Sequence, residues 1–111
     1  MIYEMNLNPL PFKVMKEGKK TIEMRLNDER RKDIKVGDVI VFTQTETKEQ
    51  LKVEVLALYP YPSFEELYKH FDKKELGYSE DEVADPNDML IYYPKDKIEK
   101  YGVLGIKIKL L

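Results

Sequence analysis

Residues 18–26 read Gly18-Lys19-Lys20-Thr21-Ile22-Glu23-Met24-Arg25-Leu26. From Thr21 onward polar and apolar residues alternate, the period of a half-buried β-strand. Gly18, directly after Lys16 and Glu17, reads as the stop of a preceding helix. Ile22, Met24 and Leu26 then turn to the core, while Thr21, Glu23 and Arg25 share the opposite face with Lys20 at the strand mouth. Four polar side chains are thereby presented from one rigid element.

On the N-terminal side, residues 2–7 alternate as a strand, and Pro9 and Pro11 suit the first turn of a helix over about 9–17 with Phe12 and Met15 inward. On the C-terminal side, 28–35 is a polar, basic turn anchored by Ile34, and Val36-Gly37-Asp38 leads into a buried strand, Val39-Ile40-Val41-Phe42. Residues 43–50 suit a hairpin tip, and 51–58 alternate again as its second strand. Tyr59-Pro60-Tyr61-Pro62 breaks that pattern. Ser63 with Glu66 forms a capping box for a helix with Phe64, Leu67, Tyr68 and Phe71 inward. A second such pair, Ser79 and Glu82, lies in the acidic stretch, Asp85-Pro86 opens a short segment that Pro94 ends, and a turn of helix over 95–100 precedes a two-faced closing strand over 103–110. This order lacks the alternation of a doubly wound sheet. It predicts an α+β fold, a small mixed or antiparallel β-barrel with flanking helices, as a single domain over 1–111.

Composition narrows the chemistry. Hydrophobic residues at 42% and charged residues at 36% are too apolar for disorder and too interrupted by charge for a membrane span. With no cysteine and only His70, disulfides, thiolate sites and His-rich metal sites are excluded, and no metal or cofactor is predicted. The first residues lack a basic region followed by an apolar run, so a cytoplasmic location is expected. The formal net charge of −2 argues against coating nucleic acid nonspecifically, yet residues 16–35 carry 8 bases against 5 acids and residues 75–88 carry 6 acids and no base. The acidic stretch lacks the spaced pattern of a Ca²⁺ loop and reads as a solvated face.

The carrying residues Asn6-Leu7-Asn8-Pro9, Gly18 to Asp28, Ile34 to Phe42 and Tyr101-Gly102-Val103-Leu104-Gly105-Ile106 resemble the ASCH domain, the activating-signal-cointegrator homology domain of the PUA-like superfamily. The core pattern is G-x-K-x-x-E-x-R followed by I-x-x-G-D-x-I-x-F. The resemblance implies a PUA-like barrel of five or six strands, a cleft lined by the motif strand, and RNA or nucleotide-related ligands. It carries Lys20, Glu23 and Arg25 into that cleft, and more loosely Asp28. Arg25, Arg30, Arg31, Lys32 and Lys35 would then meet phosphates, and Glu23 with Tyr92, Tyr93 or Tyr101 would meet an unstacked base. Core packing is the plainer role for each tyrosine. A small bacterial ASCH enzyme hydrolyses the acetyl amide of N4-acetylcytidine, and its lysine corresponds to Lys20 and its glutamate to Glu75. Its threonine nucleophile is Glu23 here, leaving Glu23 as a general base on water and Thr21 as a second nucleophile. The expected function is RNA or modified-nucleoside binding. Amide hydrolysis and a protein-interaction module are the alternatives. If the cleft is functional, Lys20→Ala and Glu23→Ala are expected to spare the melting temperature while abolishing binding or turnover; loss of fold with loss of function would make them structural.

Overall fold

The computed structural model describes residues 1–111. The alternating segments become β1 (Ile2–Leu7), β2 (Ile22–Leu26), β3 (Val39–Gln44), β4 (Gln50–Tyr61) and β5 (Val103–Leu110), in one sheet of order β1-β3-β4-β5-β2. β1 runs parallel to β3 and the other pairs are antiparallel, so the sheet is mixed and curls into a half-barrel. Its two edges, β1 and β2, share no ladder. Three helices flank it: α1 (Pro9–Lys16), α2 (Phe64–Lys69) and α3 (Lys95–Tyr101), with a 3₁₀ segment over Pro86–Ile91.

Two apolar clusters hold these layers. In the first, Phe12 and Met15 of α1 pack with Ile40, Phe42, Val53, Val55, Ile106 and Ile108 of the sheet. In the second, Ile22, Met24 and Leu26 of β2 pack with Phe64 and Leu67 of α2, Met89 and Ile98. Each large side chain fully buried this way contributes about 1.5–3 kcal/mol. β5 serves both clusters through Leu104, Ile106 and Ile108 on one side and Val103 on the other, as its alternation predicts. α2 opens as its capping box predicts, with Ser63 Oγ accepting from Glu66 N at 3.2 Å. Around Ser79 only half of a box forms, the Glu82 carboxylate accepting from Ser79 N at 2.8 Å, and the segment is a turn.

Two boundaries differ from the sequence reading. β3 continues to Gln44, leaving a shorter hairpin turn. More instructive, β4 does not end before Tyr59 but runs through Tyr59-Pro60-Tyr61. β3 leaves β4 at Val39, opposite Glu54, and a bulge between Val55 and Ala57 re-aims the strand, so beyond it β4 pairs with β5 alone. Pro60 therefore occupies a sheet edge, where proline is tolerated. Tyr59 packs edge-on against Phe71 at 5.1 Å, and Tyr61 stacks on His70 at 4.9 Å, which gives both tyrosines and the histidine packing roles.

Candidate nucleoside-binding cleft

Alternation does put Glu23 and Arg25 on the face opposite Ile22 and Met24, but that face is not bathed in solvent. The end of β1, the start of α1 and residues 76–93 close over it, leaving a cleft of about 320 Å³. Lys20 and Glu23 are each only 4% exposed. Buried charges persist only when paired and hydrogen-bonded, and here the pairing is complete. Lys20 Nζ donates to the carbonyls of Ile22 at 2.9 Å and Leu76 at 3.0 Å and lies 3.4 Å from Glu23 Oε1. Met24 N donates to the same carboxylate oxygen at 3.1 Å. Arg25 Nε donates to Glu23 Oε2 at 2.9 Å, with Nη2 2.8 Å from that oxygen.

Burial pushes the Glu23 carboxyl upward, but Arg25 and then Lys20 outweigh it and hold the group below the usual carboxylate range. Glu23 is thus an ionised, desolvated acceptor. Burial lowers the Lys20 ammonium, offset in part by Glu23. All three of its protons are engaged, which favours a role in fixing Glu23 and the Leu76 carbonyl. The Cβ of any residue other than glycine at 77 would stand 3.1 Å from Lys20 Cδ, so Gly77 is what lets the chain pass over the lysine. The expectation that alanine at Lys20 or Glu23 spares the melting temperature is therefore corrected: both side chains are part of a buried ionic network.

Arg25 also closes the fold. Its Nη2 donates to Asn6 O at 2.8 Å, so a guanidinium spans the gap between the unladdered edges β1 and β2, with its charge 5.9 Å from the Phe42 ring centre. Beyond this bridge lies a second cavity, about 410 Å³, lined by Arg25, Arg30, Arg31, Glu4 and Thr43 among others. Asp28 does not reach either cavity. It accepts from Arg31 Nη1 at 2.8 Å and from Arg30 N at 3.2 Å, shaping the turn that carries both arginines.

The remaining predicted residues divide. Tyr92 and Tyr93 line the first cleft. Tyr93 lies parallel to Phe64 at 6.1 Å, and burial raises its phenol, partly offset by Arg25 and Arg31. Tyr92, 53% exposed, offers a free ring at the mouth. Tyr101 lies outside both cavities, under the Lys100 ammonium at 5.1 Å. Thr21 and Glu75 are not cleft residues either. The Thr21 hydroxyl is buried without a hydrogen-bond partner, and the Glu75 carboxylate caps Asp72 N at 3.3 Å while its carbonyl accepts from Thr21 N and Ile22 N.

Sequence reasoning missed Tyr78 and Asp88, and it read residues 75–88 as a solvated face. Its carboxylates are exposed as read, apart from the half-buried Glu75, and Glu82 and Asp88 border the cleft as well. Tyr78 Oη donates to Asp88 Oδ2 at 2.8 Å and sits 2.8 Å from Tyr68 Oη, tying the covering segment to α2. Burial pushes the Tyr68 phenol up to about 12 and raises Tyr78 as well, so both remain neutral donors. The only sequence signal for this clasp was a tyrosine among carboxylates.

A curled mixed half-barrel with helices at its flanks and a charged cleft against one edge strand defines a PUA-like domain. The chain belongs to the ASCH domain family, whose model matches residues 5–111. It is similar over its whole length to the crystallised hypothetical protein PH0355, at 34% identity and TM-score 0.80, covering all of that chain. It is also similar to protein PF0455 from Pyrococcus furiosus, at 36% identity and TM-score 0.71, covering 98% of that chain. The ASCH protein of Zymomonas mobilis shares the fold at 18% identity and TM-score 0.67, with 97% of this chain covering 66% of that one. No curated protein matches the chain. No helix is long and apolar enough to cross a membrane.

Proposed function

We propose that this ASCH domain binds RNA or a modified nucleoside by taking one unstacked base into the cleft beside β2. The observation that carries the reading is a cleft large enough for a base, whose floor is the internally paired Glu23 and whose border carries the carboxylates of Glu82 and Asp88, each with one oxygen not bonded within the protein. Glu23, Glu82 and Asp88 outnumber Lys20 and Arg25 on the lining, and both bases already spend protons inside the protein. Glu23 is likewise spent on Lys20, Met24 N and Arg25, so the acceptors left to a ligand are the second oxygens of Glu82 and Asp88, which suit the exocyclic amine of a cytosine or adenine and disfavour phosphate. Tyr92 supplies the stacking surface. Double-stranded RNA hides base edges that this cleft would need, so single strands are the preferred form.

Direct titration tests the reading. Single-stranded oligonucleotides containing cytidine or adenosine are expected to bind more tightly than the same sequences in duplex, and Tyr92→Ala is expected to weaken binding. Equal affinity for both forms, unchanged by the substitution, would overturn it. Amide hydrolysis draws no support from Thr21 or Glu75, both off the cleft, and no specific observation favours it.

A further inference from the structure

The second cavity is chemically unlike the first. Three guanidiniums line it against one carboxylate, Glu4, and their donors are only partly spent. Arg25 is spent inside the protein, on Glu23, Asn6 O and the Tyr93 hydroxyl; Arg31 uses Nη1 toward Asp28 and keeps the rest; the Arg30 side chain makes no hydrogen bond or ion pair. The Thr43 hydroxyl accepts from Gln50 Nε2 at 3.3 Å and retains its own proton. The two cavities share Asn6 and Arg25 as lining, so they meet across the thickness of one side-chain bridge. Charge is therefore sorted along the seam, with carboxylates in excess on one side and guanidiniums on the other.

We propose that this second cavity is a phosphate subsite, and that the natural ligand is a nucleotide unit whose base enters the first cleft while its phosphate lies against Arg30 and Arg31, with the Arg25 charge behind them. A guanidinium fork fits phosphate oxygens in pairs, and such charge-assisted bonds are roughly twice as strong as neutral ones. The surplus carboxylates of the first cleft repel the phosphate and orient the unit. The inference rests on the base-binding reading above in assigning a nucleotide, but the anion site itself stands on its own residues.

The experiment titrates cytidine and adenosine, their 3′- and 5′-monophosphates, and inorganic phosphate against the protein and its Arg30→Gln variant at low salt, following the arginine Nε–Hε resonances. At least one monophosphate is expected to bind about tenfold or more tightly than its nucleoside. In Arg30→Gln that ratio should fall toward one, and inorganic phosphate should shift the Arg30 and Arg31 signals of the unsubstituted protein. Nucleosides that bind as well as their monophosphates, with the variant unchanged in ratio, would overturn the subsite and leave the base cleft standing. Phosphate shifts abolished by Arg30→Gln, with no nucleoside or nucleotide binding, would keep the anion site and overturn the base cleft. Silence from every probe would overturn both.

Discussion

Removing the carboxylate of Glu23 would leave Lys20 and Arg25 in the interior without their counter-ion. Breaking a buried ion pair from one side typically costs about 3–5 kcal/mol, so Glu23→Gln is expected to lower stability by an amount of that order, measured by urea unfolding. Ionisation also makes this residue pH-sensitive. A free glutamate titrates near 4.5 and folded Glu23 lower, so the unfolded chain takes up the proton first as the pH falls. The stabilisation from Glu23 is full above about 4.5 and is lost as the pH falls through the lower folded value. Urea midpoints between pH 6 and pH 3 should accordingly fall more steeply in the unsubstituted protein than in Glu23→Gln; parallel profiles would contradict the assignment. Tyr92, half exposed and outside the ion network, behaves differently. Tyr92→Ala should move the melting temperature little while weakening a stacked base by roughly 1–3 kcal/mol, seen as about five- to 150-fold in Kd.

At the level of elements, much of the fold was legible because local rules and tertiary context agree. The period-two runs at 2–7 and 22–26 and the Ser63 cap each formed the element they announce. Ser63→Ala should cost about 1 kcal/mol in thermal unfolding through the lost cap. Gly102 is a stricter requirement, since it joins α3 to β5 at φ 71° and ψ −172°, a region open essentially to glycine alone, and an added Cβ would stand 2.9 Å from Tyr61 O. Gly102→Ala is expected to destabilise by at least about 1–3 kcal/mol on the same measurement. What could not be read locally was the burial of the polar face of β2. Alternation tells which residues share a face, and only the sheet's curl and the segment after Gly77 decide that this face is roofed. The same limit explains Pro60, whose tolerance depends on where β3 stops, and Asp88, whose role depends on Tyr78 and α2. Of the candidate site, Lys20 and the Glu23–Arg25 pair on β2 were visible in sequence, and their partners from distant segments were not.

For the whole molecule, charge geography matters more than the net value of −2. Three arginines in one cavity can neutralise at most about three phosphates, so the slope of log K against log salt for a single strand should not exceed about 2 in magnitude. A much steeper slope would mean that the scattered surface lysines, not the two cavities, govern binding.

The bridge from Arg25 to Asn6 gives the architecture a temporal side as well. Where β4 lies between two neighbours, separation means breaking a run of main-chain bonds, whereas β1 and β2 are tied across their gap by a guanidinium. Thermal openings of this domain should begin there, and the edge amides of those two strands should exchange with deuterium before the amides in the middle of β4. Arg25 is on this view the hinge pin of a breathing cylinder, and a guest that engages it would slow the exchange of strands it never touches.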